Sequence, residues 1–118
     1  MPNPNFATGA TAVPSLNATS SAEEASKIIK ARPGILYGLI VYNNNAAAQF
    51  IQLHDSATVP ANGVVPVIVF EIAAQTTRSL DFGENGRSFA NGIVVCNSTT
   101  DTIKTIGGAD CLFDAQYT

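Results

Sequence analysis

The sequence predicts an all-β protein, a single antiparallel β-sandwich of jelly-roll or Greek-key type with an extended N-terminal arm. Three observations lead to this fold class. Turn-forming residues recur at short intervals, the segments between them are rich in β-branched and aromatic residues, and no segment carries a convincing helical stripe. About seven or eight such segments, roughly 8 to 15 residues apart, are typical of sandwiches and jelly rolls. A chain of 118 residues fits one domain with one core.

The sequence divides into an arm, residues 1–22, and a sandwich domain, residues 23–118. Glu23 is the first charged residue, and the segment before it is rich in Pro, Ala, Thr and Asn. An uncharged extended segment is poorly ordered alone, but it can lie along a neighbouring subunit without burying charge. We therefore expect the arm to make assembly contacts through Phe6, Val13 and Leu16.

The strands are predicted in order along the domain. Residues 25–31 form a first strand or one turn of helix, because Ser21 and Glu24 resemble a capping box while the segment has too few apolar positions for a helical stripe. Residues 35–42 are apolar on both faces, which predicts a central strand. Residues 64–72 are the strongest β segment, with Pro66 at an edge or bulge. Further strands are predicted at 49–54, 77–82, 93–97, 102–106 and 111–117.

Residues capable of catalysis or metal binding are sparse. His54 is the sole histidine, and it is predicted at the surface near a strand end, with Asp55 on the opposite face of the strand. Asp81, Glu84 and Asn85 are predicted to form an ordinary polar turn, with a calcium loop as the alternative. No phosphate-binding loop, dinucleotide fingerprint or nucleophile elbow is present. We expect no enzyme activity, no cofactor and no metal.

Cys96 and Cys111 are the only cysteines, and both lie in apolar strand-like runs. The start of the sequence has neither the basic region nor the apolar region of a secretory signal, so no export is predicted. Two buried, reduced thiols are the preferred interpretation, and a disulfide between them is the alternative.

The charge content points to the class of partner. Only 13% of residues are charged, the net charge is −3 at pH 7, and there are six Lys and Arg in total. These values argue against nucleic acid and against an anionic membrane, which both require clustered cations. A weakly charged surface suits contact with protein or sugar. Tyr37, Tyr42 and Tyr117 are expected to present hydroxyls at an interface, and a carbohydrate- or receptor-binding module remains the alternative function.

Two segments resemble a known family. GLIVYNNNAAAQFIQLHDSATVPANGVVP, which begins at Gly38, contains QFIQL followed by a PANG turn and a proline. FGENGRSFANGIVVCNSTTDT contains an F-x-x-GI strand that enters a Ser-Thr-Thr loop. In these features the chain resembles the small β-sandwich structural proteins of tailed bacteriophages.

The resemblance implies a virion component, either a capsid decoration (cement) protein or a neck or tail accessory protein, made in the host cytoplasm. It supplies no functional residues. The implied partners are the major capsid or other virion proteins. Sandwich edges with few lysines are poorly defended against pairing, so we also expect a homo-oligomer, a dimer or a trimer.

Overall fold

The computed structural model describes residues 16–118, which form nine strands. We number them in chain order. They are β1 (Leu16–Thr19), β2 (Ser26–Lys30), β3 (Gly34–Asn43), β4 (Gln49–Asp55), β5 (Ile68–Ile72), β6 (Thr76–Asp81), β7 (Arg87–Phe89), β8 (Ile93–Ser98) and β9 (Cys111–Tyr117).

The strands form two antiparallel sheets. Sheet I has the order β1-β9-β3-β6, with the short β7 pairing with the first residues of β3, and sheet II has the order β2-β8-β4-β5. The pairs β1·β9, β2·β8, β3·β6 and β4·β5 are nested, so that the chain folds as one long hairpin wrapped into two sheets. This connectivity is a jelly roll. The predicted all-β antiparallel sandwich is confirmed.

The core lies between the inner faces of the two sheets. Alternate residues of each strand point inward, which is why the period of two in 49–54 and 111–117 places one set of side chains in the core. The fully buried members include Leu39, Val41, Ile51, Leu53, Ile72, Ile93, Val95, Phe89, Phe113 and Ala115.

The strands differ from the prediction at four places, one of which is the short β7, where no strand is predicted. Residues 64–67 are not strand, and β5 begins only at Ile68, because Pro66 lacks the backbone N–H that a ladder requires. Residues 102–106 form no strand; Ile106 makes an isolated β-bridge to Ser98, and Lys104 bonds to the backbone of residues 63–64. Strand β1 lies inside the range 1–22 that the sequence predicts as arm, and its pairing with β9 makes it part of sheet I. Below, "arm" means residues 1–15, which lie outside the described residues.

β5 and β6 are edge strands of the two sheets on the same side of the sandwich, and the side chain of Arg78 bridges them. Arg78 of β6 donates a hydrogen bond from Nη1 to the backbone carbonyl of Glu71 on β5, at 2.5 Å. Its guanidinium also lies 5.2 Å from the centre of the Phe70 ring. A bonded, charged group at an edge strand discourages pairing with another chain. On the opposite side of the molecule, edge strand β1 has no charged residue.

Candidate assembly surfaces

The outer face of sheet II is covered by two loops. Ile51 and Leu53 point into the core, so Gln52 and His54 point outward, yet both are buried. They lie beneath residues 56–67 and 99–110, which we call the loop layer. The loops are joined to each other by backbone hydrogen bonds from Gly63 to Lys104 and from Lys104 to Val64, each 2.8 Å.

Gln52 fastens the loop layer to the sheet. Its Nε2 donates toward three backbone carbonyls, those of Thr100 and Ile103 at 3.0 Å and that of Asp101 at 3.3 Å. Its Oε1 is therefore the acceptor that faces His54 Nε2, at 3.1 Å. This orientation fixes the neutral imidazole as the Nε2–H tautomer, and the buried Nδ1 has no hydrogen-bond partner among residues 16–118.

Lys104 is a buried residue that holds the two loops of the loop layer together. Its ammonium donates to the carbonyl of Pro60 at 2.5 Å, which links the two loops from below. Burial, together with the nearby positive charge of Lys104, holds the pKa of His54 below its ordinary value. Burial also raises the pKa of the neighbouring Cys96 thiol to about 11, so this thiol is protonated and unreactive at neutral pH.

The sequence prediction of a surface histidine was wrong, and the reason is the loop layer. The alternation in 49–54 indicates a second, more polar face, but a strand pattern carries no information on loops that fold over it. The burial of Gln52 and Lys104 was not predicted for the same reason, because both are covered by loops that the strand pattern does not reveal. One signal was present: Lys104 is the only Lys or Arg after Arg87, in a segment otherwise rich in Thr, Ile and Gly.

Lowering the pH is expected to destabilise the protein through His54. The imidazole titrates near 6.5 in the unfolded chain and at a lower pKa in the folded one. Between these values the unfolded state binds a proton that the folded state does not, so the free energy of unfolding falls as the pH falls, by up to about 1.4 kcal/mol per pH unit. Denaturant titrations between about pH 7.5 and pH 5 measure the slope.

His54→Gln is the control, because it keeps a donor toward Gln52 and removes the titration. Its stability should be nearly constant over the same range. Hydrogen bonds from the backbone N–H groups of Asn91, Ala90 and Gly92 lower the pKa of Asp55 from 3.8, so that carboxylate acts in a separate, more acidic window. Equal slopes for the two proteins would contradict a role for His54.

The surface of the loop layer carries an exposed apolar patch. Val64 adjoins Lys104 through the backbone bonds above, and the N–H of Ile106 donates to Asn62 Oδ1 at 3.0 Å. Ile103 contacts Gln52, whose cross-strand neighbour on β5 is Val69. The apolar patch consists of exposed or partly exposed aliphatic side chains, with Val65 the most exposed at 68%: Val64, Val65, Val67, Val69, Ile103 and Ile106.

The apolar patch itself contains no charged residue, and its nearest exposed charges are the carboxylates of Asp101, in the same loop as Ile103, and Glu71, two residues after Val69. Between Asp55 and Glu71 the sequence contains no charged residue, and Lys104 is buried. Large exposed apolar patches on a domain surface mark interaction sites. The apolar patch is thus a candidate contact surface that neither the turn signals nor the β-propensity of 64–72 identified.

The outer face of sheet I offers a second surface, an open groove of about 420 Å³ centred on Gly38. Because Gly38 has no side chain, the backbone of β3 forms the floor of the groove at this position. A Cβ added to residue 38 would lie 3.0 Å from Gln116 Oε1. Tyr37, Ile40, Ser79 and Asp81 line the groove together with Gln116. Thr19 and Asp114 adjoin it in the register of β1 and β9, joined by a 3.1 Å hydrogen bond.

The predicted contact residues are only partly brought together. Phe6 and Val13 lie outside the described residues. Leu16 is 53% exposed on β1 and pairs with Tyr117 of β9. Tyr37 lines the groove, whereas Tyr42, on the same strand, donates its hydroxyl to Asn44 Oδ1 at 3.2 Å.

The remaining candidate groups form local structure. Asp81 Oδ1 accepts from the N–H of Gly83 at 2.8 Å, as in an ordinary turn. Within residues 16–118, no cluster of three or more His, Cys, Asp or Glu is arranged to hold a metal. Cys96 and Cys111 are both buried, with free thiols. None of the described residues form a helix long and apolar enough to cross a membrane.

Comparison with known proteins gives one distant structural neighbour. No protein-family model matches the sequence, and no curated protein matches it. Among solved structures the chain is similar to the coat protein of tobacco streak virus, with 16% sequence identity and a TM-score of 0.40, over 88% of this chain and 85% of that one. At that score the likeness carries no functional argument.

Proposed function

We propose that this protein is a non-enzymatic structural subunit of a virion, a capsid decoration or cement protein of a bacteriophage that associates with itself and with neighbouring capsid subunits. The observation that carries the proposal is the combination of a rigid jelly roll with uncharged contact surfaces. The apolar patch, the β1 edge and the arm sequence all lack charged residues. Such surfaces can be buried against protein without leaving unpaired charge.

The proposed mechanism is bridging. A subunit that binds only the assembled shell stabilises that shell by mass action, and repetition over many sites multiplies the effect. A stiff sandwich suits this role because little order is lost on binding. An uncharged arm extends the contact beyond the domain boundary.

Removing residues 1–14 is expected to abolish self-association while leaving the domain folded. The cut is placed before Leu16 because β1 pairs with β9, and a longer deletion would remove a strand of sheet I. Light scattering on a sizing column should give a dimer or trimer for the full-length chain and a monomer for the shortened one. The shortened protein should still unfold in one cooperative transition, with a midpoint that does not depend on protein concentration. An unchanged oligomer would remove the arm from the mechanism.

The groove around Gly38 supports a second candidate function, binding of a neutral carbohydrate. It combines a tyrosine with Ser79, Asp81 and Gln116, which can donate to and accept from sugar hydroxyls. This function predicts glycan-array binding by a monomer, with or without residues 1–14, that is lost in Gln116→Ala. If the wild-type protein binds no glycan, carbohydrate binding is rejected and the structural role is the one candidate function that is left.

A further inference from the structure

We propose that the apolar patch of one subunit is the docking site for residues 1–15 of a second copy of this chain. The inference rests on the proposed self-association and specifies its acceptor surface. The arm has no Asp, Glu, Lys or Arg, and the six side chains of the patch are aliphatic, with Lys104 buried beneath them and the exposed carboxylates of Asp101 and Glu71 at the margin. Aliphatic side chains of the arm can cover the patch without desolvating an ion.

The position of the arm's attachment point favours a second copy over the same chain. Residue 16 begins β1, the edge strand of sheet I, whereas the patch lies over sheet II beside β5, which adjoins β6 at the other side of the sandwich. An arm bound to its own patch would have to reverse direction, pass around the edge and cross sheet II. Pro14 opposes such a reversal, because it fixes its own φ and restricts Val13 to extended conformations.

The arm is also long enough to reach a neighbour. Fifteen extended residues span at most about 50 Å, more than the width of a four-stranded sheet. Phe6 and Val13 are therefore the anchors that can contact Val65 and its aliphatic neighbours on an adjacent subunit. A few buried anchor residues carry most of the binding energy of an interface, and the large apolar ring of Phe6 and the branched side chain of Val13 can serve as such anchors.

Disulfide trapping between separately made variants tests the inference. One population carries Phe6→Cys and the other Val65→Cys, and the native thiols are buried. On mixing and mild oxidation, a covalent dimer joining the two populations is expected. Leu112→Cys is the matched control, because Leu112 is a partly exposed aliphatic residue on the outer face of sheet I. An equal yield with the control, or no cross-link at all, would overturn the inference.

A chain that carries both cysteine substitutions tests whether the arm docks on the patch of its own subunit. If Phe6→Cys and Val65→Cys in one chain give a monomeric intramolecular disulfide on dilution, the arm docks on its own subunit and the proposal fails. If the double variant instead forms covalent oligomers, docking between copies is supported.

Val65→Asp separates the failure of this inference from failure of the proposed function. We expect it to weaken self-association about tenfold or more, because the arm would bury an unpaired carboxylate, while the domain itself stays folded. Leu112→Asp should leave self-association intact. If Val65→Asp keeps the full oligomer while removal of residues 1–14 gives monomers, the assembly role stands and the patch is not the acceptor.

Discussion

Replacing Gln52 by alanine is expected to lower the free energy of unfolding by about 3 kcal/mol and to loosen the loop layer. The side chain is fully buried, and its Nε2 serves three backbone carbonyls, those of Thr100, Asp101 and Ile103. Alanine removes these donors, takes the acceptor from His54 and leaves a cavity between loop and sheet. Urea denaturation measures the global effect, and hydrogen exchange of residues 99–106 measures the local one.

Two further variants identify the cause. Gln52→Met fills the space without donating, so any loss it shares with Gln52→Ala reports the hydrogen bonds. Gln116→Ala is the matched control, because Gln116 is only half-buried on the outer face of sheet I and should change stability by less than about 0.5 kcal/mol. Similar losses at positions 52 and 116 would contradict the assignment of Gln52 as the anchor of the loop layer.

Replacing Gly92 by alanine is expected to cost about 2 to 3 kcal/mol, because the new methyl group would collide with two backbone segments. A Cβ at this position would lie 2.8 Å from the carbonyl oxygen of Lys30 and still closer to that of Ser56. Gly92 also accepts a hydrogen bond from the N–H of Ser56, at 3.2 Å. The chain at the ends of β2 and β4 therefore packs directly against the start of β8. The contacting atoms belong to the backbones of Lys30 and Ser56, so a new methyl group could be accommodated only by shifting the main chain.

Gly83→Ala is the control for this prediction. Gly83 has a φ of 77° and open space around its Cβ position. Its substitution should cost only about 1 kcal/mol, from backbone conformation alone. Thermal or urea unfolding of both variants measures the difference. A Gly92→Ala protein as stable as Gly83→Ala would show that the strand ends are not tightly packed.

The fold class followed from local signals, because turn residues and a period of two are properties of short segments. The segment 111–117 was predicted with the bounds that β9 has, and 93–97 falls one residue short of β8. Residues 102–106 look like a strand for a similarly local reason, since four of the five are the β-branched residues Thr and Ile. They are loop in the structure because their backbone groups are satisfied by Gln52, Ser98 and residues 63–64.

The candidate site was harder to predict than the fold, because it is made by contacts between distant segments. Residues 56–67 and 99–110 are about forty residues apart, and nothing in either segment indicates that they share a layer. Leu16 was assigned to the arm as an assembly contact; the structure places it on β1 with 53% of its surface exposed, and its contact with a neighbouring subunit stays a prediction. Val65 was assigned to a strand, so its exposure on a loop was not foreseen.

The nested strand order determines when sheet I can be completed during synthesis of the chain. The first described strand pairs with the last, joining Leu16 to Tyr117, so a growing chain holds β1 without its partner until β9 has been made. Contacts of such long sequence separation also form late in folding. We therefore expect β1, the strand to which residues 1–15 are joined, to be fixed in sheet I only after β9 has been made, so the surface that β1 forms with β9 exists only in chains that contain both strands.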